Sequence, residues 1–238
     1  MLVADLAFTA LVGTNLAYFT DTDNAENVMT LGGVNIMQNE QQRGENGLED
    51  FVQDKPLLPM VDNREAGAAT VVDGFFNEGM ANVVDKIVTV TNEAEKGAIN
   101  KDAYVRTILA FETNVVYNAD GSVYGDAHDV YIGVLGDFEY IKNGDEFVKI
   151  TVDGIDYVLA VKVYENALAP AETTEPSLKQ VFMAPTAGNE VATLFGDEYT
   201  ILALSQGVQT AGFADAATAL DTAFGDVATN AQAWFSAL

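Results

Sequence analysis

A mainly β, two-sheet sandwich with a few peripheral helices is the fold that this sequence predicts. Three observations predict it. Runs rich in Val, Ile, Thr and Tyr alternate at period two, the spacing of a half-buried strand. Asn-Gly and Asp-Gly pairs sit between such runs, where they form tight hairpins. Helical patterning is confined to the last part of the chain. The 238 residues are a length that all-β proteins often use for one domain. No repeat recurs at 20–50 residues, and no Pro/Ser/Gly linker divides the chain. Residues 20–238 therefore read as one sandwich domain, preceded by an N-terminal extended segment, 1–19.

In that first segment the even positions are Leu2, Ala4, Leu6, Phe8, Ala10, Val12, Thr14, Leu16 and Tyr18. All but Thr14 are apolar, and the odd face is mixed. Fully extended, residues 2–18 reach about 56 Å at roughly 3.3 Å each. That exceeds an ordinary strand, so the segment suits pairing outside its own domain. A leftover signal sequence or a short helix is the bland alternative. Leu11–Ala17 is apolar and ends on small residues, yet the first basic residue is Arg43, so a charged leader region is missing.

Residues 20–27 are a polar break. Val28 to Gln38 reads as a strand bent at Gly32-Gly33. Residues 39–50 read as polar loop. Pro56 and Pro59 leave an extended or edge segment, and residues 62–82 show no clear period. Val83 to Thr91 is a strand. Ala103 to Thr113 alternates, with Ala103, Val105, Thr107, Leu109 and Phe111 on one face against Tyr104, Arg106 and Glu112. Residues 118–121 form a turn, and 129–164 form a meander through turns at Asn143-Gly144 and Asp153-Gly154. Asn189 caps a short helix stopped by Gly196. Tyr199 to Gln206 is a strand. Asp215 caps a helix carrying Ala216, Ala219, Leu220, Ala223 and Phe224, with Gly225 as its stop. A last helical piece holds Trp234 and Phe235, so helices occupy 215–236.

Composition narrows the function. Eleven basic against 36 acidic residues give a net charge of −25. Nucleic acid needs clustered Lys and Arg, and an anionic membrane would repel this chain. With 49% hydrophobic residues it is too apolar for a disordered acidic tail. The chain has no Cys and one His, His128, which excludes disulfides, thiolate sites and a multi-histidine metal site within one chain. No run of 18 apolar residues suggests a membrane helix.

Four stretches resemble the TasA/camelysin family of exported bacterial surface proteins. Leu16-Ala17-Tyr18-Phe19-Thr20-Asp21-Thr22-Asp23 is similar to the family's signal-peptidase region. Val84–Asn92 followed by Asn100-Lys101-Asp102-Ala103-Tyr104-Val105-Arg106 resembles its core pattern. The others are Glu165–Pro170 with Glu175–Val181, and Ile201–Gln206 through Ala211-Gly212-Phe213. The matches spread over most of the chain and are weaker in 40–80 and 114–150. The resemblance implies a jelly-roll sandwich secreted to the cell surface or biofilm matrix. It also implies a fibre in which one subunit's N-terminal strand completes the next subunit's sheet, as in related archaeal bundling pili. The partner is then a second copy, head to tail, with lateral bundling of fibres. The donor residues are Leu2, Leu6, Phe8, Val12 and Leu16, with Tyr18 and Phe19 near the hinge. Strands around 103–111 and 199–206 are candidate acceptors. A cut near Ala17 would instead leave a shorter donor beginning at Tyr18 or Phe19.

Two alternatives stand beside the filament. One is a monomeric cell-surface binding module. The other is a metallopeptidase, the label often given to camelysins. A zinc peptidase needs two His one helical turn apart and a Glu base; here His128 stands alone, beside Asp126 and Asp129. Asp120, Asp126 and Asp129 outline a Ca2+-loop-like stretch that lacks the sixth-position Gly and terminal Glu, so a hairpin turn is the better reading. Asp21, Asp23 and Glu26 read as a solvated turn. Ser122, Ser177, Ser205 and Ser236 lack a nucleophile elbow. The expectation is no enzyme, no cofactor and no metal.

Overall fold

The computed structural model describes residues 17–20, 28–31, 34–93, 101–113, 116–117, 123–124, 131–188, 195 and 198–237. Among them the strands in chain order are β1 (Ala17–Thr20), β2 (Val28–Leu31), β3 (Ile36–Gly44), β4 (Gly47–Asp50) and β5 (Lys55–Leu57). Four two-residue strands follow: β6 (Val61–Asp62), β7 (Val71–Val72), β8 (Phe75–Phe76) and β9 (Met80–Ala81). Then come β10 (Val83–Asn92), β11 (Ala103–Glu112), β12 (Val116–Tyr117), β13 (Val123–Tyr124), β14 (Ile132–Gly136), β15 (Glu139–Tyr140), β16 (Lys142–Asn143) and β17 (Glu146–Phe147). The last are β18 (Lys149–Val152), β19 (Ile155–Leu168), β20 (Leu178–Met183) and β21 (Glu198–Gln209), followed by helices α1 (Ala216–Phe224) and α2 (Val227–Phe235).

Two sheets carry the molecule. The larger has the order β15-β19-β11-β21-β1-β5, with β18 also on β19 and β2 also on β21. The second has the order β14-β20-β10-β3-β4. Their facing sides make one core: Val84, Val88, Leu178 and Val181 from the second sheet meet Leu109, Phe111, Ala160, Tyr199 and Ile201 from the first. Burying such side chains stabilises the fold by about 1.5–3 kcal/mol each. The chain is thus mainly β, a sandwich with few helices.

Alternation along β11 is as the sequence predicts, but its second face does not meet water. Ile108, Ala110, Leu159 and Leu204 pack under Val227, Ala231 and Phe235 of α2. Ala216, Ala219 and Leu220 of α1 cover Val208. Arg106 and Glu112 lie on that covered face, 2% and 6% exposed. The first helix starts where its predicted cap places it, and the second has a cap of the same kind. Asp215 accepts from the Thr218 N–H, Gly225 ends α1 at φ 92, and Asp226 caps α2 through the Thr229 N–H.

The Asp153-Gly154 turn joins β18 to β19 with φ values of 51 and 85, the paired positive angles of a type I′ hairpin. The turn expected at Asn143-Gly144 falls one residue later: Asn143 ends β16 and pairs with Glu146, and Gly144, at φ 65, opens the two-residue connection to β17. β12 pairs with β13 across the predicted turn at 118–121, whose residues lie outside those described. Four readings need correction. Residues 129–164 do not form one meander, because β14 pairs with β20 in the second sheet while β15, β18 and β19 lie in the larger one. Residues 39–50 are not loop: they complete β3 and form β4. Their polar side chains are satisfied across the ladder, Asn39 donating to Thr91 Oγ1 (2.9 Å) and Arg43 pairing with Asp85. β20 was not anticipated. The sheet also begins at Ala17, inside the segment expected to stand apart. The bend at Gly32-Gly33 and the helix from Asn189 to Gly196 lie outside the described residues, Phe195 apart.

Candidate assembly site

A sheet accepts another strand only along an edge with open backbone groups. β11 has none, because β19 and β21 pair with it on its two sides over almost its whole length. That removes 103–111 as an acceptor. β21 faces β11 on one side; on the other, β1 covers Glu198–Thr200 and β2 covers Ser205–Val208, both in parallel. Much of the 199–206 candidate is therefore occupied within the subunit. β5 has three residues including Pro56, which has no N–H. β4 is exposed and carries Glu49 and Asp50, the charges that discourage edge pairing.

β19 differs. It has 14 residues, and its outer side meets β18 at 155–158 and β15 at 160–161 only. The Leu159 N–H donates outward to Val148 O, and Leu159 O accepts from the Ile141 N–H. Alternation then turns the backbone groups of Val161 and Val163 the same way, up to the register shift that follows Tyr164. Beyond Val161 no described strand meets them. A groove of about 930 Å³ runs beside this edge, from Asp137–Glu139 past Val161–Leu168 to the 172–175 loop and the start of α1. Two contacts hold its inner wall. Lys162 Nζ donates to Asp137 Oδ2 (2.5 Å), and the Tyr164 hydroxyl donates to Glu175 O (3.0 Å). Burial raises the Tyr164 phenol above its ordinary pKa. The rim is acidic, with Asp137, Glu139, Glu165, Glu172, Glu175 and Asp215 against Lys162.

Position matters as much as shape. Tyr18 pairs with Glu198, so Ala17 lies where β21 begins, near Phe111 and Tyr157. The groove lies where β21 ends: Ala103 pairs with both Gln209 and Leu168, and Val105 with Tyr164. β21 has 12 residues, so these two ends are separated by about 40 Å. The start of the described chain and the open edge occupy opposite ends of one sheet.

Of the predicted donor residues, Leu2, Leu6, Phe8, Val12 and Leu16 lie outside the described residues. Tyr18 and Phe19 are placed in β1, between β21 and β5. Asp120, Asp126, His128 and Asp129, and Asp21, Asp23 and Glu26, also lie outside them. Among the described residues, no group of three or more His, Asp or Glu could hold a metal ion, and no helix is long and apolar enough to cross a membrane. Ser177 and Ser205 are buried inside the sandwich, donating to Val88 O (3.3 Å) and Gln38 Oε1 (2.7 Å). Sequence reasoning missed the β19 edge. Its signal was length: a 14-residue strand faced by partners of two and four residues leaves an edge uncovered. In comparisons with known proteins, no family model, no curated protein and no solved structure matches this chain.

Proposed function

We propose that this chain is the structural subunit of an extracellular filament of the TasA/camelysin kind, polymerised by strand donation. The N-terminal segment 1–16 of one copy lies along the Val163–Leu168 edge of the next. The observation that carries this reading is the placement of Ala17 and the open edge at opposite ends of the larger sheet. A donor leaving one end and an acceptor at the other give a head-to-tail contact that propagates rather than closes.

Charge and pattern support the same occupant. The groove rim holds six carboxylates, so an acidic segment is repelled. Residues 1–20 carry one charged side chain, Asp5, in a chain with 36 acids. Alternating Leu2, Leu6, Phe8, Val12 and Leu16 give a strand one apolar face, and its backbone satisfies the N–H and C=O groups of Val163 that no described strand meets. The apolar contact supplies the driving force, since subunits of net charge −25 repel one another.

Deletion of residues 2–16 is the test. Filaments are expected to disappear by electron microscopy while the shortened chain keeps its β-type circular dichroism and cooperative melting. Filaments that persist without residues 2–16 overturn the donor assignment. A full-length chain that stays monomeric at high concentration favours the monomeric surface binding module.

A further inference from the structure

The inward row of β3 is polar where a sandwich core calls for apolar side chains. Gln38 donates to Ala203 O of the facing sheet (3.3 Å), and Gln42 is 7% exposed. Into this row comes Lys86 of β10, 0% exposed. Ile87 pairs with Gln41 and Arg43 bonds Asp85 on either side, so this register sets Lys86 opposite Gln42, where cross-strand Cβ atoms lie about 4.5–5.5 Å apart. The Lys86 ammonium is ion-paired with Glu40 and lies 4.5 Å from the Phe51 ring centroid. The next residue, Val52, donates its N–H to Gln42 Oε1 (3.3 Å), and Gln42 Nε2 donates to Glu49 Oε1 (2.6 Å). An amine paired with a carboxylate lies against Phe51, and a polarised carboxamide lies against the next residue, Val52.

We propose that Lys86 and Gln42 join as an intramolecular isopeptide bond, with Glu40 carrying the proton. The Lys86 proton passes to the Glu40 carboxylate, and the freed Nζ lone pair attacks Gln42 Cδ. Negative charge develops on Oε1, opposite the Val52 N–H. The Cδ–Nε2 bond breaks, and Nε2 leaves as ammonia with a proton returned by Glu40. One C–N bond forms and one breaks, so no oxidant or further reactant is needed. Burial favours the step, since it pushes the Lys86 amine well below its ordinary pKa, toward the neutral nucleophile. The product staples β10 to β3 in a chain with no cysteine.

Intact-mass spectrometry of the purified full-length chain tests it. The expected mass lies below that of the sequence by about 17 Da, one ammonia. Trypsin should then fail to cut at Lys86 and release residues 65–96 branched to the peptide that ends at Arg43. Lys86→Arg should restore the full mass. An intact mass equal to the sequence overturns the proposal, whatever the variants do. So does a loss of about 18 Da mapped to Glu40, which is water. The same holds for an ammonia loss confined to an Asn-Gly turn, with normal cleavage at Lys86.

Discussion

Glu112 shows how one residue couples the fold to pH. Its Oε2 accepts the Thr200 N–H at 2.7 Å, closing the end of the β11–β21 ladder. Burial pushes its carboxyl up to about 7, against the lowering effect of that hydrogen bond. A carboxyl raised in the folded state binds its proton more tightly there than in the unfolded chain. Its contribution is therefore full below the ordinary carboxylate range and is lost as pH rises through about 7. Glu112→Gln keeps an acceptor for Thr200 and removes the buried charge. It should stabilise the protein at pH 8 by on the order of 1–2 kcal/mol and leave it nearly unchanged at pH 4, below the ordinary carboxylate range. Calorimetry at both values checks this, and equal melting shifts at the two would contradict it. Arg106 is the second such residue. Nε donates to Gln206 Oε1 (2.7 Å), Nη1 to Asp221 Oδ1 (2.6 Å) and Nη2 to Gly225 O (2.8 Å), with the Trp234 ring 5.6 Å away. It ties α1 and the turn before α2 to the sheet. Arg106→Leu strands these partners and should cost about 3 kcal/mol. Limited proteolysis should then cut near Gly225, which wild-type protein resists. The sequence places Arg106 and Glu112 on the polar face of β11. It does not show that face buried, because period two says nothing of which helices dock there.

Among the elements, hairpins and caps were legible because their chemistry is local. Asp153-Gly154 fixes its turn by positive φ, and Asp215 and Gly225 bound α1 by side-chain and backbone bonds within a few residues. β3 and β20 were not, because each departs from simple alternation for non-local reasons. Gln180 of β20 is 1% exposed because it bonds the Phe76 N–H and Asp85. Gln38 and Gln42 of β3 are satisfied across the core and by β4. The open edge of β19 was illegible for the same reason: whether a strand is central or at an edge depends on which distant segments pair with it. The edge itself is testable by one backbone change. Val163 turns its N–H away from β11, so Val163→Pro removes a donor that no described strand uses. Assembly should fall at least tenfold, measured by filament sedimentation, with the monomer's far-ultraviolet spectrum kept. Val163→Thr, which retains the N–H, should assemble near normally. Equal assembly of all three proteins would remove β19 as the acceptor.

At the scale of the molecule, three properties combine: a net charge of −25, a groove rimmed by carboxylates, and a nearly uncharged alternating segment ahead of Ala17. The first makes indiscriminate association unfavourable. In the filament we propose, the other two select one segment for one edge, and their placement at opposite ends sets the polarity of the assembly. In the proposed filament, assembled subunits retain and use residues 1–16. Negative-stain electron microscopy of the full-length protein, with N-terminal sequencing of the same sample, tests it most directly. Long filaments of uniform width are expected, their subunits all retaining the residues before Ala17. Monodisperse particles at high concentration and physiological salt would contradict it, as would filaments built from subunits that begin after Leu16.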